Sequence, residues 1–213
     1  MNLHALGQLH SLQLGQVTDN VDPDNRGRVK VRLHAAPMEI WAGVVAPSAG
    51  QGYGASFIPR VEEIVVLAFV SPELPLVLGS IWSGADSVPP DCDPQEDHYV
   101  IRTPNGTVIE CDDGDGPKLE LRTRSGYRVT VTEGAGGAVE LERDGQSVRL
   151  TSSEISIQSS GPVNVEATTV NVSASMMRVD AAMSRFSGVV QADTVIANAV
   201  VGTSYTPGAG NIW

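Results

Sequence analysis

The chain has 213 residues, 41% of them hydrophobic, which excludes wholesale disorder and leaves room for one ordinary domain or two small ones. Only 5% are aromatic while glycine occurs 22 times, so the buried surface must come mainly from Val, Leu, Ile and Ala. The formal net charge of −11, multiplied in any homo-oligomer, repels nucleic acid and anionic headgroups and points to protein as the partner.

Residues 1–15 lack the charged start and long apolar run of a signal peptide, and no stretch reaches the ~20 apolar residues of a membrane span, so synthesis in a cytosol is expected. From residue 12 to Trp82 short apolar runs alternate with turn clusters. Residues 12–17 read as a strand, 18–27 as an Asp/Asn/Gly-rich turn, and 28–33 as a strand that places Val29, Val31 and Leu33 on one face. Further strands are expected at 41–47, 55–58, 63–70 and 76–82. Five or six strands in so short a stretch suit a small closed barrel, which removes exposed sheet edges.

Residues 83–103 read as a linker, with Pro89, Pro90 and Pro94 among acidic residues holding it extended. Cys92 and Cys111 are too far apart for a metal knuckle and are expected to stay unlinked.

Beyond residue 103 the strands become very short, with apolar residues flanking a polar one: Val139 and Leu141, Val148 and Leu150, Ile155 and Ile157, Val163 and Val165, Val170 and Val172, Met177 and Val179. Their close, regular spacing is a repeat. One such chain has no second layer to cover its apolar face. Three copies wound around one axis give every strand a neighbour and fill a narrow core with these twelve side chains, which predicts a homotrimer. A single-chain solenoid is the competing architecture, although its coils usually need about 20 residues each.

The segments GRVKVRL (27–33), GYGASFIPRVEEIVVLAF (52–69) and PLVLGSIW (75–82), in that order, resemble the phage baseplate assembly protein V family, related to the valine-glycine-repeat spikes of type VI secretion. The resemblance implies an all-β chain: an oligonucleotide/oligosaccharide-binding (OB)-fold barrel over 1–82, then an intertwined trimeric β-helical needle over 104–200, with a tip segment at 201–213. It implies a central spike in the tail baseplate of a virion or another contractile injection particle, joined to baseplate hub and tail tube proteins, that closes the tube and pierces the target envelope. The apolar end residues Tyr205, Ile212 and Trp213 would form a tip or dock a PAAR-type cap protein. Some relatives bind iron through a His-x-His pair at the apex. The histidines here are His4, His10, His34 and His98, so no apex metal is expected.

Other candidates are weaker. Arg28, Lys30 and Arg32 share a strand face and would suit a single-stranded nucleic acid, but few aromatics accompany them and a solvated or hub-contacting face is expected. Gly50, Gly52 and Gly54 have no following helix to make a phosphate loop and read as a tight turn. Asp112, Asp113 and Asp115 lack EF-hand spacing and also read as a turn. Neither a serine elbow nor a histidine base occurs in the second half, so no catalytic residue or cofactor is expected. A polysaccharide-degrading β-helix and a nucleic-acid-binding OB module are the rival functions, the first needing grooved carboxylates and the second salt-dependent binding to single strands.

Overall fold

A computed structural model describes residues 12–84, 87–92, 96–114 and 118–204. Two compact units are resolved in it, residues 1–163 and 164–213. The first begins with β1 (Gln13–Asp19), β2 (Arg28–Leu33), β3 (Glu39–Val44), the two-residue strands β4 (Ala49–Gly50) and β5 (Tyr53–Gly54), β6 (Ile64–Ser71) and β7 (Leu74–Ile81). Five of these close into a barrel in the order β1-β2-β3-β7-β6, and only the β3–β7 pairing is parallel. Alternation with period two sends Val17, Val29, Val31, Leu33, Ala42, Val65, Leu67 and Val77 inward as one core, with Ile40, Val44 and Phe69 packed against it. At Gly15 β1 passes close to this core: a Cβ there would lie 2.4 Å from Val31 Cγ1 and 2.9 Å from the Arg32 carbonyl oxygen.

The turn between β1 and β2 is organised by one carboxylate. Asp22 accepts hydrogen bonds from the backbone amides of Asp24, Arg26 and Arg28 and from Arg28 Nε and Nη2. The stretch 55–58, expected to be a strand, is not one. The chain spends its turn earlier, at Gly52 (φ 79°), and pairs Ala49–Gly50 with Tyr53–Gly54, after which Pro59 prevents a ladder; Phe57 is left exposed.

After a short 3₁₀ turn (Pro90–Cys92), a second sheet forms from β8 (His98–Arg102), β9 (Val108–Asp112), β10 (Lys118–Arg122), β11 (Arg128–Thr132), β12 (Ala138–Arg143), β13 (Gln146–Thr151) and β14 (Ile155–Gln158). Each strand pairs antiparallel with the next, a seven-stranded meander. Residues 98–102, read from sequence as the end of the linker, are thus its first strand. The turns are set locally. Thr103 and Thr123 each accept through Oγ1 the amide four residues on, and the amides of Gly106 and Gly126 return to their carbonyls. Asp144 (φ 47°) and Gly145 (φ 79°) are both left-handed, as a two-residue type I′ hairpin requires.

Residues 159–204 form no helix or strand among the described residues. Within the unit 164–213, Val165, Val170, Val172, Met177 and Val179 are all exposed, and Arg178 pairs with Asp180 at 2.7 Å. No helix of the described residues is long and apolar enough to cross a membrane.

Candidate assembly surface

The meander is amphipathic by register. Tyr99, Cys111, Leu119, Val131, Val139, Leu150 and Ile155 face one another across consecutive strands, and so do Ile101, Ile109, Leu121, Val129, Leu141, Val148 and Ile157. These are two parallel rows on one face, each with one member per strand. At about 4.8 Å between strands they run for about 29 Å. All except Val129 and Val131, which are half-buried, are exposed in the single chain. The twelve side chains singled out from the sequence as a shared core are between 37% and 74% exposed. The first six belong to these rows; Val163, Val165, Val170, Val172, Met177 and Val179 lie beyond the last strand.

The reverse face is charged, with its central carboxylates held by cations. Its central row carries Glu110 opposite Glu120, both buried. Glu110 is held by His98 Nε2 at 3.2 Å, Lys118 Nζ at 3.2 Å and Arg122 Nη1 at 2.9 Å. Glu120 is held by Arg122 Nη1 at 3.0 Å and Lys118 Nζ at 3.5 Å. Asp91, in the 3₁₀ turn, pairs with both Arg102 and Arg122 and so fastens that turn to the sheet. Burial pushes the Glu110 carboxyl up, but hydrogen bonds from Lys118 and His98 and the charges of Lys118 and Arg122 outweigh it and leave its pKa below the ordinary carboxylate value. Lys118 is likewise opposed by burial, yet Glu110 and Glu120 raise its pKa. Farther along, Arg149 meets Glu140 at 3.1 Å. An exposed apolar face thus backs onto a polar face whose central charges are paired.

The other sequence candidates have internal partners. Arg28 is bound to Asp22 and Asp24 and lies 5.6 Å from the Trp41 ring centroid; Lys30 meets Glu39 at 3.2 Å; Arg32 donates to Gln16 Oε1 at 2.6 Å. Gly50, Gly52 and Gly54 make the β4–β5 turn. Asp112 ends β9 and accepts the Gly114 amide, while the Asp113 amide donates to the Asp97 carbonyl; Asp115 lies outside the described residues. Cys92 and Cys111 are free thiols. His34 is exposed, His98 belongs to the Glu110 cluster, and His4, His10, Tyr205, Ile212 and Trp213 lie outside the described residues. Sequence reasoning missed Glu110, Glu120 and Asp91. The signal available was that Glu110 and Glu120 each occupy the middle of a five-residue strand with apolar residues on both sides.

Residues 13–82, which contain the closed barrel, match the family model of the type VI secretion system/phage-baseplate injector OB domain. The barrel is similar to this injector domain. The type VI secretion system spike protein VgrG4b of Pseudomonas aeruginosa (strain PAO1) is 28% identical over 132 residues, covering 57% of this chain. That alignment is longer than the barrel, so part of it falls on the segments that follow. The chain spans 16% of the length of this curated relative.

Proposed function

We propose that this chain is a structural, non-enzymatic spike of a contractile injection machine, in which three copies wind together into a needle that closes the tube end and pierces the target envelope. The two-row apolar face of the meander carries the reading. If about half of each side chain's burial remains to be gained, at ~1.5–3 kcal/mol for full burial, covering the rows contributes on the order of 10–20 kcal/mol per chain.

Three copies suit the dimensions. A strand of five residues spans about 17 Å, and a triangle with sides of about 17 Å has its centre about 5 Å from each sheet, half the ~10 Å spacing of packed sheets. Val, Leu and Ile then meet at the axis and leave no channel. The paired charges of the reverse face turn to solvent. Val163 and the apolar pairs after it continue the core where the single chain supplies no ladder, so each strand there is completed by neighbouring chains. The barrel joins the hub and tail tube proteins, the particle is a phage tail or related injection device, and Tyr205, Ile212 and Trp213 form the tip or seat a PAAR-type cap.

The test is the mass of the full chain by light scattering or native mass spectrometry. Three times the chain mass is expected, reduced to one chain by Leu141→Asp and unchanged by Glu142→Gln on the opposite face. A monomeric wild type overturns the proposal.

A further inference from the structure

The apolar face does not stop at the first strand of the meander. Tyr99, Ile101, Ile109 and Cys111, the first members of the two rows, line a cleft of about 690 Å³ together with Phe57 and Trp82 from the barrel segment. Phe57, Trp82 and Tyr99 are each more than 60% exposed in the single chain. Both basic side chains in the cleft wall already hold carboxylates, His98 through Glu110 and Arg102 through Asp91. The cleft therefore offers aromatic and aliphatic surface and no uncommitted charge, which selects an apolar occupant.

We infer that a second copy of this chain fills this cleft, so that the self-association surface runs past the sheet and onto Phe57 and Trp82. The inference rests on the trimer proposed above. Sheets that turn their rows to a common axis also turn the barrel-side end of those rows to it, and what the axis supplies there is the neighbour's identical apolar surface. The barrels are then gripped by adjacent copies as well as by their own linkers, and the joint between barrel and needle resists bending.

Hydroxyl-radical footprinting of the full-length protein reads this directly. Phe57 and Trp82 are expected to oxidise at least fivefold more slowly in the wild-type assembly than in dissociated Leu141→Asp, whereas Tyr53, 73% exposed and outside the cleft, keeps one rate in both. If Leu141→Asp does not fold, the comparison is made within the assembly. In a Cys92→Ser/Cys111→Ser background, Phe57→Cys should react with a maleimide at least tenfold more slowly than Tyr53→Cys. A trimer in which Phe57 and Trp82 oxidise freely and Phe57→Cys reacts as fast as Tyr53→Cys overturns the inference and leaves the trimer standing. A monomer overturns both.

Discussion

Glu110 and Glu120 stand directly opposite each other on β9 and β10, and one guanidinium nitrogen, Arg122 Nη1, lies 2.9 Å from the first carboxylate and 3.0 Å from the second. Two buried like charges are tolerable only with cations between them. Arg122→Ala should destabilise the sheet by about 2 kcal/mol, less than breaking a buried pair outright because Lys118 still bridges both acids. Urea denaturation monitored by circular dichroism measures this, and Arg122→Lys should restore part of the loss.

The same cluster sets a pH dependence. Because the folded-state pKa of Glu110 lies below its ordinary value of 4.5, its contribution to stability is complete above that value and is lost as the pH falls through the folded pKa. Lys118, raised above 10.5, contributes below that value and ceases to as the pH rises through its folded pKa. Thermal denaturation from pH 3 to 11 should give a plateau falling at both ends, and Glu110→Gln should flatten the acid limb.

Gly15→Val tests the barrel alone. Its Cβ has no room against Val31 and the Arg32 carbonyl, so the strand must shift, at a cost of about 1–3 kcal/mol. Reduced amide protection across β1, β2 and β6 by hydrogen exchange, with the meander unchanged, is the expected pattern.

Asp22→Ala should unfasten the β1–β2 turn. The amides of Asp24, Arg26 and Arg28 lose their acceptor, and Arg28 loses the partner that holds its pKa above the ordinary guanidinium value. Faster exchange at those three amides and a lower Tm are expected, with Asp22→Asn intermediate because it retains an acceptor oxygen.

The parts of the fold legible in the sequence are those written within one strand. Arg28–Leu33 alternates clearly enough to fix its ends and its inward side chains, and the apolar pairs at 139–157 announce one apolar face of the second sheet. Two kinds of feature were hidden. The β4–β5 turn displaced the strand read at 55–58 because glycine conformations at 52 and 54, not apolarity, decide where the chain reverses. The charged cluster joins Asp91, His98, Glu110, Lys118, Glu120 and Arg122, residues that meet only after four segments have paired in register. A strand's own pattern says which residues share a face, and nothing about which strand lies next to it.

The turns of the meander carry a consequence for how such a sheet grows. Thr103 and Thr123 close equivalent reversals with the same hydrogen bonds, and between them lie two strands that pair with each other and with their sequence neighbours. Every contact that fixes the register is short in sequence, so folding can proceed by zipping one reversal after another. Duplication of one such unit would extend the structure by two strand spacings, about 10 Å, while every existing pairing keeps its partner. Length is in this sense modular, adjustable by gene duplication or by design in fixed increments without renegotiating the rest of the molecule.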